Sequence, residues 1–281
     1  MNPDIASDAP APSEPLPLLA LRAALYLGEP RALDLWNDHF ASAEARPAQR
    51  VRLALILAAL APRLPAEAFE PMLAADDPLI GQLGRTGRAI ASDDPAVADE
   101  LARLAELRHP VALRWIVAFA ERDHLVPADA SLALLGVVRA FERDTDRRLT
   151  DRHLDTAVEA TRALVDTAPQ TAPDLLAPVL THRATSFELR QAILLGLLRS
   201  QDPDAPAVTQ RIDPPRDSVA RNLDLLLRAR RDAPLTPDQL ADLADLVSGG
   251  GDLDPSLRIQ AAWLYLRHIG RADAALDRLL P

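Results

Sequence analysis

The chain has 281 residues, a formal charge of −10, and 48 % apolar residues with only 4 % aromatics, so its interior must be built from Leu, Ala, Val and Ile, which favour helices over sheets. All 31 basic residues are arginine and cysteine is absent. Missing lysine excludes P-loop nucleotide chemistry and Schiff-base catalysis; missing cysteine excludes thiol catalysis, Cys-rich zinc sites, iron–sulfur clusters and disulfides.

Residues 1–15, with prolines at 3, 10, 12 and 15, read as a disordered leader, and residues 16–281 as one continuous helical domain. The first 14 residues carry Asp4, Asp8 and Glu14 and no positive side chain, which is the wrong start for an export signal. No stretch reaches the roughly 18 uncharged apolar residues that a membrane span needs. A soluble, cytoplasmic protein is expected. Both halves are acidic, with 13 Arg against 19 Asp and Glu in 1–140 and 18 against 22 in 141–281. That balance argues against generic nucleic-acid binding, where neutralising phosphate supplies much of the affinity.

In chain order the apolar periodicity predicts about sixteen helices, starting near residues 16, 30, 46, 65, 78, 95, 110, 127, 150, 172, 185, 204, 214, 237, 255 and 271. Asp77-Pro78, Asp94-Pro95, Asp202-Pro203, Asp213-Pro214, Thr236-Pro237 and Asp254-Pro255 mark the starts: an oxygen caps free N–H groups, and proline fits the first helical position. Glu29-Pro30, His109-Pro110 and Val126-Pro127 are weaker versions, and Gly249–Gly251 is an inter-helix loop. Residues 51–61, 111–120, 131–138, 187–198 and 223–227 are apolar nearly all round and predict buried helices. Residues 150–167 are one-sided instead: Leu154, Val158, Thr161 and Val165 face inward, while Arg152, Asp155, Glu159, Arg162 and Asp166 form a solvated face. Residues 95–107 follow the same plan. Paired in sequence, these helices make about eight hairpins of about 33 residues, a period found in helical repeat arrays.

Internal similarity lies in arginines that enter long apolar runs: Arg22, Arg52, Arg85, Arg114, Arg190, Arg221 and Arg258, spaced by 30, 33, 29, 76, 31 and 37 residues. The segment Asp254-Pro-Ser-Leu-Arg258-Ile-Gln-Ala-Ala resembles the second-helix signature of HEAT repeats, and Phe187-Glu-Leu-Arg190-Gln-Ala looks like a degenerate copy. The resemblance implies an arginine ladder hydrogen-bonding between successive repeats. Leu25-Tyr-Leu-Gly28 through Trp36, and Tyr265 through Gly270 to Leu276, are similar to tetratricopeptide repeats, where a Gly closes one helix and Ala-Leu opens the next. Together they imply an all-α, right-handed α-solenoid of about eight stacked helical hairpins.

Chemistry is harder to find. His39, His109, His124, His153, His182 and His268 form no HExxH or other compact ligand pair. His153 beside Asp155 and His124 beside Asp123 are read as chance neighbours in a chain with 41 acidic residues. The Asp76-Asp77 and Asp93-Asp94 turns are read as helix caps before proline and not as metal sites. Trp36, His39 and Phe40 share a helix face, and Trp115, Trp263 and Tyr265 lie in apolar helices; core packing is the expected role. Arg228, Arg230 and Arg231 read as a solvated helix end.

No catalytic residue, cofactor or metal is therefore expected. The expected function is a non-enzymatic scaffold that binds a protein or peptide on its concave surface, with Arg114, Arg190, Arg221 and Arg258 as candidate partner-binding residues. The alternatives are a HEAT-like enzyme acting on nucleic acid, disfavoured by the charge, and a regulator that responds to a small molecule.

Overall fold

The computed structural model describes residues 16–42, 44–122, 125–142, 151–182, 185–200, 202, 205–211, 218–231, 235–249 and 254–269. Among them there is no β-strand, and the fold is all-α. Some sequence expectations fall outside those residues: the leader 1–15, the Asp213-Pro214 boundary, Asp123 and His124, Gly250 and Gly251, the helix near 271 and most of the second tetratricopeptide-like segment.

The chain divides into two compact units, Met1–Val97 and Ala98–Pro281. In the first lie α1 (Leu16–Leu27), α2 (Ala32–Ala41), α3 (Pro47–Ala59), α4 (Glu70–Leu73) and α5 (Pro78–Ala91), with 3-10 turns at Ala61–Arg63 and Ala66–Phe69. The helix expected near 65 is thus two 3-10 turns and a single α-helical turn. Pro62, Pro65 and Pro71 each remove a backbone donor, so a longer α-helix cannot propagate there. Gly28 closes α1 at φ +71°, with Gly28 N–H donating to Leu25 O (3.2 Å) and Glu29 N–H to Ala24 O (3.0 Å), the paired bonds of a Schellman cap.

Trp36 centres this unit. It is fully buried, stacks on Phe40 at 4.6 Å between ring centroids, and donates its indole N–H to Leu53 O at 2.9 Å, which ties α2 to α3. Helix α5 then accepts the irregular segment through Gly84 and Gly87. A Cβ on Gly84 would sit 2.8 Å from Met72 Cβ, and one on Gly87 would run into the Phe69 ring.

The second unit contains α6 (Val97–Glu106), α7 (Pro110–Ala120), α8 (Pro127–Ala140), α9 (Asp151–Thr167), α10 (Ala172–Thr181), α11 (Phe187–Arg199), α12 (Ser218–Ala229), α13 (Pro237–Val247) and α14 (Pro255–Ile269), with a 3-10 helix at Ala205–Arg211 in place of the helix expected near 204. Helix α9 packs against α7, α8 and α11; α11 packs on α12, and α12 on α14. The intervening α8, α10 and the 3-10 helix contact one another in the same order. Burial follows: α9 hides Thr156, Ala157, Val158, Ala160, Thr161, Ala163, Leu164 and Val165, a wider face than its sequence stripe suggests. The closest approach is at Gly196 of α11, where an added Cβ would lie 2.6 Å from Val158 O and 2.6 Å from Thr161 Cβ.

At Asp77, Asp94, Thr236 and Asp254 the side-chain oxygen accepts from backbone amides just after the proline, as expected. Asp77 Oδ1 accepts from the Leu79 and Ile80 amides (2.8 and 3.2 Å), and Asp254 Oδ1 accepts from the Ser256 amide (2.7 Å). Thr236 and Gln239 form a reciprocal capping box. His109 and Val126 precede their prolines without a side-chain cap.

The α9 face and the end of α12, expected to be solvated, are instead joined to neighbouring helices. In α7, α9, α11, α12 and α14, polar groups at or near the C-terminus link one helix to the next. Arg162 of α9 pairs with Glu121 at the end of α7, and also with Glu159 (2.9 Å) and Asp166 (3.1 Å). Burial opposes its charge, but hydrogen bonds to Glu159 and Glu121 prevail and hold the guanidinium above its ordinary pKa. Arg199 of α11 meets Glu159 at 3.4 Å, and Ser200 donates to Asp166 at 2.6 Å. Arg230, just past α12, donates to Leu197 O (3.0 Å), Leu198 O (3.1 Å) and Asp202 O (3.2 Å). Arg267 of α14 donates to Arg230 O at 3.2 Å, and His268 Nε2 lies 2.7 Å from Ala229 O. The faces read as solvated at Glu159, Arg162, Asp166 and Arg230 are therefore connections between helices. Burial lowers the Arg230 pKa, opposed by the nearby charges of Asp202 and Asp166.

Two outcomes are expected. Gly196→Ala should destabilise the protein by about 1–2 kcal/mol in urea denaturation, because an overpacking penalty of about 1–3 kcal/mol exceeds the helix-propensity gain of about 1 kcal/mol. Arg230→Ala strands three carbonyls and should lower stability by about 2 kcal/mol with an unchanged m-value, the scale of hydrogen bonds to a charged group. Arg230→Lys should recover only part of that, since an ammonium lacks the planar fork.

Candidate functional site

The four arginines read as partner contacts separate into two pairs. Arg114 and Arg221 are exposed. Arg190 is the fourth residue of α11 and is partly buried; its Nη2 donates to His182 O at 2.9 Å, on the residue that ends α10. Its guanidinium also lies 5.9 Å from the centre of the exposed Phe187 ring. Arg258 is the fourth residue of α14, with Nη1 3.9 Å from where a Cβ on Gly249 would stand, so it too points back to the end of the preceding helix.

Arg50 repeats the device in α3. It is again the fourth helical residue, and its Nη2 donates to Ser42 O at 3.0 Å, eight residues back at the end of α2. Arg50, Arg190 and Arg258 each bury an Nε atom without a partner. The register therefore runs through Arg50, whereas Arg52, the member chosen from sequence, is exposed. Arg50 and Arg190 tie two consecutive helices together, unlike the ladder between successive repeats that the HEAT resemblance implies.

Among the described residues no group of three or more His, Asp or Glu side chains is arranged to hold a metal ion. Asp77 and Asp94 accept backbone amides at their helix starts, and Asp93 takes a left-handed conformation at φ 52°. His153 lies against Phe141, 5.6 Å between ring centres. Trp36 and Phe40 are core residues, as expected, but His39 of the same helix is exposed. Trp263 departs from expectation. It is 71 % exposed beside Ile259, one turn earlier on α14.

Two recesses in the second unit are large enough for a ligand. One, of about 360 Å³ between α6 and α8, has a floor of small residues at Ala98, Ala102 and Gly136 and a mixed rim of Asp99, Glu106, Arg108 and Arg139. Arg108 sits in the left-handed region at φ 53°. The other is an open groove of about 620 Å³ where the start of α8 meets the turn from α9 into α10, lined by Pro127, Ala128, Leu132, Ala168, Pro169 and Leu175. Two of its hydroxyls are engaged, Ser131 donating to Pro127 O at 2.6 Å and Thr171 to Ala168 O at 3.3 Å, while Thr167 and Gln170 also line it. The rest of the lining is apolar; Leu132 on the wall is 50 % exposed, and Val126, next in the chain to Pro127, is 61 % exposed. Sequence reading missed this groove because three separate segments build it.

One carboxylate is buried without full compensation. Asp224 of α12 receives Arg228 Nε on Oδ2 at 2.8 Å, while Oδ1 has no hydrogen-bond partner among the described residues. Burial raises its pKa above the ordinary carboxylate range, against the lowering effect of Arg228. The folded state thus binds this proton more tightly than the unfolded chain, so stability from this group falls as pH rises from about 4. Asp224→Asn removes that dependence. Relative to the native protein, the variant should gain stability as pH rises above about 4, measured by denaturant titration at each pH.

Comparison with protein-family models, with curated proteins and with solved structures finds no match to the chain.

Proposed function

We propose that the protein is a non-enzymatic interaction scaffold of the helical-repeat type, an α-solenoid of about eight hairpins acting in the cytoplasm, that binds a protein or peptide segment. The repeat reading is supported by the polar links between helix ends, whose partners lie 28 to 41 residues apart, near the length of one helical hairpin. No helix among the described residues is long and apolar enough to cross a membrane.

The observation that carries the binding proposal is the groove at the start of α8. Its walls are mostly apolar, the Ser131 and Thr171 hydroxyls are engaged, and Leu132 on the wall and Val126 beside Pro127 are half or more exposed. An exposed apolar recess of this kind suits the side chains of an extended or helical segment. Arg114 and Arg221 are exposed members of the arginine series and so open to a partner's carboxylates, while Arg190 donates to a helix end.

A photo-crosslinking residue at Ala128 tests the proposal in cells of the source organism. One discrete adduct is expected, and Leu132→Glu should reduce its yield at least tenfold while leaving the circular dichroism spectrum unchanged. An adduct pattern that is diffuse, or equal in the variant, would overturn the assignment of the groove.

A further inference from the structure

Arg50, Arg162, Arg190 and Arg230 spend their charge on carboxylates and helix-end carbonyls. A second group in the first unit does not. A cleft of about 430 Å³ between α1, α2 and α3 has an apolar floor formed by Leu18, Leu21 and Ala48, and a polar rim of His39, Arg46, Gln49 and Arg52. No carboxylate is among its described lining residues, although the chain has 41 acidic residues to 31 basic. Arg46 precedes α3 and makes no side-chain cap there. Neighbouring Arg50 points away to Ser42 O, so the cleft keeps Arg46 and Arg52, whose guanidiniums have no hydrogen-bond or ion-pair partner among the described residues.

Unpaired guanidiniums around an apolar floor define the ligand by its chemistry. A guanidinium presents fixed donors that match the geometry of a carboxylate or phosphate, and Leu18 and Leu21 offer surface to a hydrocarbon body. The volume is in the range of small-ligand sites. We propose that this cleft binds a small amphipathic anion: a carboxylate or phosphate head held by Arg46 and Arg52, with an apolar body on Leu18 and Leu21. The site is separate from the α8 groove and stands or falls independently of it.

Titration calorimetry of the full chain at low ionic strength, with octanoate and octyl phosphate as probes, tests this. Saturable binding of at least one is expected, and the tighter of the two identifies the head group. Octanol, which lacks the charge, and acetate, which lacks the body, should each bind at least tenfold more weakly. Arg46→Gln/Arg52→Gln should weaken the probe at least tenfold; both residues are exposed and have no partner to lose among the described residues. Ala48→Glu is the second variant. It adds a carboxylate to the first turn of α3, where the helix dipole favours it, so thermal stability should hold or rise while probe binding is lost. Absence of saturable binding, equal binding of octanol, or undiminished binding in both variants would overturn the proposal.

Discussion

The second unit depends on how parallel helices that lie side by side satisfy their C-terminal carbonyls. Each α-helix ends with carbonyls that have no intrahelical partner, and its dipole leaves that end negative. When several such ends line up, the problem is repeated at every helix and adjacent dipoles repel. Here a later helix supplies a cation to an earlier one: Arg230 to the end of α11, and Arg267 to the residue just past α12. Where a carboxylate stands at the end instead, as Glu121 does after α7, the cation becomes one half of an ion pair with Arg162. The contacts join residues about one hairpin apart, so the packing of each helix fixes the end of its neighbour.

The absence of lysine has a structural side here. Arg230 reaches three carbonyls from two different nitrogens, and Arg162 reaches three carboxylates from three. A planar guanidinium can fork in this way; a point-like ammonium holds such sites less specifically. Whatever compositional bias produced an arginine-only chain, the fold uses the fork. The partial burial of Arg230 and Arg162 shows that these are not loosely solvated surface charges, and it is why pairs of this kind contribute more than exposed ones.

Features that depend on a few adjacent residues were legible in the sequence. Asp77, Thr236 and Asp254 cap helices that begin where proline requires, and Gly28 closes α1, because each of these is decided within one turn of chain. Features decided by distant segments were not. Arg52 was chosen over Arg50 because both precede the same apolar run; only the position of Ser42 distinguishes them. Glu159, Arg162 and Asp166 look like a solvated stripe until α7 and α11 are placed beside α9. Gly84, Gly87 and Gly196 carried a usable signal, since glycine within an apolar helix is costly unless another segment approaches closely. Trp263 misled because an apolar helix does not reveal which of its sides lacks a neighbour.

The same division separates structural from functional charge. The guanidiniums of Arg162 and Arg230 and the carboxylates of Asp77 and Asp254 are engaged in holding helix ends, and a group so engaged has little left for a ligand. Applied to the arginine series, that criterion sets Arg190, whose guanidinium holds the end of α10, apart from the exposed Arg114 and Arg221. Applied to α3, it separates Arg50 from Arg46 and Arg52 within seven residues of chain. Arg46 and Arg52, beside Leu18 and Leu21, hold no helix end and no carboxylate among the described residues, which is what sets them apart from the guanidiniums the fold employs.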